Sequence, residues 1–287
     1  MIHRTLRILF LLAATTLFAD ETFRIADSLS LAEKGDVAAQ YAVARAYYKG
    51  EGATKDLPRA AEWFRKAAEQ GDAKAQRLIA TMLAQGEGVA KDEKAAFAWF
   101  QKAAAQGDIL ASTNLGWFYS QGLGTPKNMD EALRHYRIAA KAGQLDAQVR
   151  LGQILTKAYE GVPVNYEEAV QYFIPAAKAG HAGAQNTLGV MLEEGLGISK
   201  NIHEAVKMFR AAAEQGEPRA MLNMGRMCDS GPSPDPAQAC MWLLLSAQKQ
   251  EDGAEKYLRN LLETGRVSPQ HVEEGWKRAA AFRVKKP

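Results

Sequence analysis

Few side chains in this sequence stand at spacings that catalysis requires. Ser246 and Lys249 form an S-x-x-K pattern, which is the acyl-enzyme motif of penicillin-interacting proteins. The S-D-N and K-T-G elements that complete such a site are absent from the sequence. The 5 histidines stand singly, with neither an H-x-x-x-H pair nor a cysteine at metal-ligand spacing. We therefore expect a protein that is not an enzyme, with no metal and no cofactor.

The two cysteines, Cys228 and Cys240, are candidates for one disulfide. Cys228 lies near the end of one predicted helix and Cys240 near the start of the next, and these ends are neighbours in an antiparallel hairpin. An exported chain meets an oxidising compartment, where such bridges persist. The alternative is a pair of buried, reduced side chains. We expect the bridge.

The first nineteen residues have the composition of a secretory leader. His3, Arg4 and Arg7 precede an apolar run over residues 8–18, and Ala19 is a small residue at the cut. This run is far shorter than the ~20 residues that span a bilayer. We expect cleavage after Ala19, a periplasmic or secreted protein, and no membrane span. The alternative is a buried N-terminal helix.

The charge balance argues against a nucleic-acid partner. Lys and Arg total 36 against 33 acidic residues, a net charge of +3. Two of the arginines belong to the predicted leader, so the mature chain is near neutral. Nucleic-acid binding needs clustered excess positive charge, which is lacking here.

Internal repetition dominates the rest of the sequence. The dipeptide Gly35-Asp36 recurs at steps of 36 or 37 residues, with the aspartate replaced in the later copies. This frame predicts an N-terminal capping half-repeat over 20–38 and C-terminal capping helices over 253–287. Between them it predicts six repeats: 39–74, 75–110, 111–146, 147–183, 184–219 and 220–252.

Each repeat has the pattern of two helices, which we call helix A and helix B. Helix A carries a small residue at its sixth position, which allows close approach of a second helix. Paired glycines then mark a turn in most repeats. Helix B starts at an Asp or Asn, whose side chain caps the first turn. These residues are Asp56, Asp92, Asn128, Asn165, Asn201 and Asp235.

The segments AEWFRKAAEQGDAKAQ (61–76) and LGWFYSQGLG (115–124) resemble the Sel-1-like repeat, a relative of the tetratricopeptide repeat. The helix start SPQHV (268–272) is similar to the closing helices of such arrays. The resemblance implies an all-α fold. The implied architecture is an α-solenoid, a right-handed superhelix of six helix-turn-helix repeats with N- and C-terminal capping helices.

The resemblance also implies an interaction scaffold that binds a protein or peptide in its concave groove, as an adaptor or regulator in the bacterial envelope. Two alternatives remain. Some secreted members are labelled β-lactamase-like, which implies a hydrolase, although Ser246 occupies a position where other repeats place alanine. The second alternative is a module that binds envelope glycan or peptidoglycan.

In the related tetratricopeptide solenoids helix A lines the groove, which assigns its positions three, seven and ten to partner binding. These residues vary between repeats, whereas inward positions recur. Trp117 stands out because Trp, Tyr and Arg are common anchors of binding energy; the alternative is that Trp117 packs on the adjacent helix. The full set is Tyr41, Arg45, Tyr48, Arg77, Thr81, Thr113, Trp117, Ser120, Val149, Gln153, Asn186, Val190, Leu222 and Arg226.

Overall fold

The computed structural model describes residues 25–159 and 161–285. Their regular structure is helical throughout, apart from an isolated antiparallel bridge between Tyr159 and Val162. The all-α fold class is thereby confirmed. Within these ranges no helix is both long enough and apolar enough to cross a membrane. The predicted leader and its cleavage after Ala19 lie outside the described residues.

The chain divides into two compact units, which meet in the sequence at Gln144 and Leu145. The N-terminal unit opens with helix α1, which covers residues 25–33. Three helix pairs follow: α2 (Val37–Lys49) with α3 (Leu57–Glu69), α4 (Ala73–Gln85) with α5 (Glu93–Ala105), and α6 (Ile109–Gln121) with α7 (Met129–Lys141).

The C-terminal unit contains three more pairs and two further helices. The pairs are α8 (Leu145–Leu155) with α9 (Tyr166–Lys178), α10 (Ala182–Glu194) with α11 (Ile202–Glu214), and α12 (Pro218–Ser230) with α13 (Pro236–Gln248). Helices α14 (Ala254–Glu263) and α15 (Pro269–Ala281) complete it, and both pack against α13.

The helix boundaries follow from capping side chains that the sequence predicts. Each predicted Asp or Asn caps its helix B; Asp56 Oδ1, for example, accepts a hydrogen bond from the backbone N–H of Arg59 at 3.0 Å. Helix A of the first repeat is capped in the same way by Asp36 and ends at Gly50, which adopts φ +75°. Only glycine adopts this left-handed conformation without strain.

The core of each unit is a series of contacts between neighbouring helices. Helix A packs along helix B of its own repeat, and helix B packs against helix A of the next repeat within the unit. Gly116 of α6, at the sixth position of the repeat frame, lies so close to Tyr136 of α7 that an added Cβ would stand 2.7 Å from the ring. The small residue predicted at this position therefore sets the spacing of the two helices.

Buried glutamines join successive helices, a feature that the sequence analysis missed. Gln76 Nε2 donates to the carbonyl of Ala68 at 3.1 Å, and its Oε1 accepts from Gln106 Nε2 at 2.8 Å. The same arrangement recurs around Gln40 and Gln185. Each glutamine adds a second donor to a carbonyl near a helix C-terminus that already accepts a backbone N–H of the following turn, as Ala68 does from Gly71 at 3.0 Å.

Candidate binding face

The residues of α2, α4 and α6 at positions three, seven and ten of the repeat frame form one surface of the N-terminal unit, which we call the helix-A face. Two contacts tie successive repeats together along it. The Tyr48 hydroxyl donates to Glu87 Oε2 at 3.3 Å, and Arg77 Nε donates to Asp108 Oδ2 at 3.1 Å. The residues predicted there on three separate repeats therefore share a continuous surface.

Two large apolar side chains stand open on α6. Trp117 is 44% exposed, with its ring edge against Phe118, and Leu110 is also 44% exposed. Because they are seven residues apart in a helix, they lie on the same side of α6. Trp117 is thus on the surface rather than packed away between helices. Leu110 was not predicted as a surface residue, although its spacing of seven residues from Trp117 already indicated that the two lie on the same side of a helix.

Arg45 supplies the open positive charge of the helix-A face. Its side chain is exposed and has no ion-pair partner in the part of the chain that the structure describes. Tyr41 and Tyr48 flank it on α2 and are half-buried, with ring centroids 5.8 Å and 6.2 Å from that of Phe64. The two tyrosines therefore support the core and present only an edge to the surface.

The remaining predicted residues of this face have partners within the protein. Arg77 is held by Asp108, which also caps α6. The hydroxyls of Thr81, Thr113 and Ser120 donate to backbone carbonyls of their own helices at 2.8–3.2 Å. Burial and the neighbouring Glu87 raise the pKa of Tyr48, so its hydroxyl stays a donor. These groups shape the face, and Arg45, Leu110 and Trp117 are left for contact.

Two predicted residues of the C-terminal unit, Asn186 and Arg226, are hydrogen-bonded to other residues of that unit. Asn223 Nδ2 donates to the buried Asn186 at 2.9 Å, and Arg226 donates to Asn223 and to Glu193, both at 3.2 Å. Val149 is buried, whereas Val190 and Leu222 are half-buried and Gln153 is exposed. Of the six predicted residues in this unit, two are therefore bonded, one other is buried and three remain at least partly exposed.

The Ser246 hydroxyl is inaccessible. Ser246 is 0% exposed, and its Oγ donates to the carbonyl of Pro218 at 2.9 Å. A nucleophile must reach a substrate carbonyl, so the S-x-x-K match does not form a usable site. Among the described residues no group of three His, Cys, Asp or Glu side chains is placed to hold a metal ion.

The structure corrects the expected disulfide, because Cys228 and Cys240 are both free and buried. Cys240 lies against α15, where a Cβ added to Gly275 would stand 2.6 Å from its own Cβ. Cys228 lies within the electrostatic reach of Arg210, and both cysteines lie within that of Asp235. The two residues therefore share one region of the hairpin, as expected, but their thiols are not bonded to each other.

Two solved structures resemble this chain closely enough to be informative. A protective antigen of uropathogenic Escherichia coli with an SLR fold is 30% identical, with a TM-score of 0.81 over 90% of this chain and 56% of that chain. A Sel1 repeat protein from Oxalobacter formigenes is 32% identical, with a TM-score of 0.63 over 76% of this chain and 88% of that chain. This chain therefore spans just over half the length of the E. coli protein. No curated protein matches it.

The Sel1 repeat pattern matches six segments of the chain. Each match begins two residues before the frame derived above, at the first residue of helix A. The segments are 37–72, 73–108, 109–144, 145–181, 182–217 and 218–250. Proteins of this kind generally mediate protein–protein interactions, and most are non-catalytic repeat scaffolds with a solenoid fold. The chain belongs to the Sel1 repeat family.

Proposed function

We propose that this protein is a non-enzymatic scaffold that docks a protein or peptide partner on the helix-A face of the N-terminal unit. One observation carries the proposal. The exposed Trp117 and Leu110 share a surface with an exposed, unpaired Arg45, whereas the neighbouring polar groups already have partners. Aromatic and arginine side chains dominate binding energy at protein interfaces.

The chemistry of this face indicates what the partner presents. Trp117 and Leu110 offer two exposed apolar side chains, seven residues apart on one side of α6, which fit large apolar side chains of a partner. Arg45 offers a guanidinium group, which pairs best with a carboxylate. The partner segment is therefore apolar at one end and acidic at the other.

The proposal also places the protein in the bacterial envelope, as an adaptor or regulator. The support is the composition of residues 1–19, with its basic start and its short apolar run. N-terminal sequencing of the exported protein is expected to begin at Asp20. A chain that retains Met1 would contradict this part of the proposal.

Capture of the native partner by purified protein tests the docking surface. The double variant Trp117→Ala/Arg45→Ala is expected to weaken binding by ~2 kcal/mol or more, while helicity and melting temperature stay nearly unchanged, because both side chains are exposed. Matched controls are Arg65→Ala, an exposed arginine on α3, and Trp276→Ala, a tryptophan that is 47% exposed on α15. Both controls are expected to bind normally. Full binding by a well-folded double variant would place the docking surface elsewhere.

A chromogenic β-lactam assay separates the scaffold from the hydrolase alternative. Because Ser246 is buried and bonded to Pro218, we expect no turnover and no covalent adduct. A penicillin adduct on Ser246 would overturn the non-enzymatic assignment.

A further inference from the structure

An apolar pocket of about 380 Å³ opens in the C-terminal unit, at the place where α14 and α15 both pack on α13. Leu244 of α13 lies at one side, Leu258 and Leu262 of α14 at another, and Trp276 of α15 at the third. The pocket belongs to neither the helix-A face nor any contact described above.

The rim of this pocket exposes large apolar side chains. Leu262 is 40% exposed and Trp276 is 47% exposed. A helix that caps a repeat array normally turns a polar outer face to solvent. An apolar rim around an apolar pocket is instead typical of a surface that another protein covers.

Helix α14 turns one ordered stripe toward the pocket. Glu255, Leu258, Arg259 and Leu262 all line it, and their spacing of i, i+3, i+4 and i+7 places them on one side of the helix. The stripe therefore alternates charge and apolar surface over two turns. This is the pattern of a helix that packs against another helix.

The two charged side chains of this stripe have no ion-pair partner among the residues that the structure describes. Glu255 and Arg259 are exposed and form no ion pair with any residue that the structure describes. The exposed charges of α15, in contrast, are paired along their own helix. These pairs are Glu273 with Lys277 at 2.8 Å and Glu274 with Arg278 at 3.0 Å.

We propose that a second copy of this chain covers the pocket, with the two α14 helices antiparallel about a two-fold axis. A two-fold interface sets residue i against residue j of the other copy, and j against i. Glu255 of each copy then meets Arg259 of the partner subunit, which forms two identical ion pairs. Leu258, Leu262 and Trp276 are buried between the copies.

The expected dimer is weak. A stripe of two helical turns with one flanking tryptophan gives an interface at the small end of the range for specific complexes. Such contacts are transient, and we expect a dissociation constant of roughly 10 µM.

Sedimentation equilibrium of the purified protein at about 1 to 200 µM tests the proposal. Wild-type protein is compared with variants in which the charges of Glu255 and Arg259 are reversed. The wild-type protein is expected to show a monomer–dimer equilibrium. Glu255→Arg alone, or Arg259→Glu alone, puts like charges together at both contacts and is expected to weaken the dimer by about tenfold or more. The double exchange Glu255→Arg/Arg259→Glu restores opposite charges, so it is expected to restore the dimer to within about threefold.

Three further variants test whether the dimer depends on the pocket rim and not on exposed residues in general. Trp276→Ala is expected to weaken the dimer, whereas Trp117→Ala and Arg65→Glu alter exposed residues of the N-terminal unit and are expected to leave it unchanged. Circular dichroism checks that each variant is folded. A monomer at every concentration would overturn the proposal. The proposal would also be overturned if the double exchange failed to restore association, or if Trp276→Ala left the dimer dissociation constant unchanged. None of these outcomes bears on partner capture by the helix-A face.

Discussion

At the scale of single residues, burial governs the chemistry of the two cysteines. Burial is the largest influence on Cys228 and raises the pKa of its thiol to about 11, with a smaller contribution from Asp235; burial also raises the pKa of Cys240. A thiol with so high a pKa is protonated at neutral pH, and only the thiolate reacts. Both residues therefore act as small apolar side chains of the core.

Alkylation by iodoacetamide at pH 8 tests this account. Because unfolding returns the Cys228 pKa from about 11 toward its ordinary value of 9.0, the thiolate fraction rises about a hundredfold. We expect very slow labelling of the native protein, faster labelling as the pH rises toward 11, and two labelled thiols in urea without reductant. An unreduced, denatured protein that takes up no label would show that the disulfide forms after all.

At the scale of helices, one position controls how closely helices A and B approach. The sixth position of the repeat frame, in helix A, is alanine in the first two repeats and Gly116 in the third, where Tyr136 faces it. Gly116→Ala would press a methyl group into that ring. We expect a loss of about 1–2 kcal/mol in the free energy of unfolding, since overpacking outweighs the higher helix propensity of alanine.

Urea unfolding monitored by circular dichroism measures the Gly116→Ala effect. Gly183→Ala is the matched control, because a Cβ there would stand 3.2 Å from the ring of His181, the N-cap of α10, compared with 2.7 Å from the Tyr136 ring at Gly116. The control is expected to be neutral or slightly stabilising. Equal stability of the two variants would mean that the close contact of α6 with α7 does not limit packing.

The helices were predictable from sequence because their signals are local. The Asp or Asn at the start of each helix B and the glycine after helix A act within a few residues of their own position. Ser246 was correctly placed as a packed residue by comparison with alanines of the other repeats. In each case the repeat frame supplied the missing tertiary information.

The partners of individual side chains were not predictable in this way. Whether Arg226 is free or bonded depends on Asn223 and on Glu193 of another repeat. Likewise, the distance between two helix ends does not fix where Cys228 and Cys240 point. Such side-chain contacts depend on how side chains on different helices point toward each other. Local sequence patterns do not determine these directions.

At the scale of the whole molecule, the two compact units have different proposed roles. The N-terminal unit carries the open helix-A face for a partner, whereas the C-terminal unit carries the pocket assigned to a second copy. In a repeat protein each repeat is stabilised mainly by its neighbours. Exposed residues are therefore free to vary without loss of the fold, and this allows a scaffold to acquire its own partner.

In-cell photo-crosslinking shows whether a partner protein docks on the helix-A face. A photoreactive residue placed at Trp117 is expected to crosslink one partner protein, whereas the same residue at Arg65, exposed on α3 of the same unit, is expected to crosslink none. The Arg45→Ala background should weaken the Trp117 crosslink, since it removes the charge that holds the partner. Equal crosslinking from both positions, or none from Trp117 in cells where the protein is present, would contradict docking on the helix-A face.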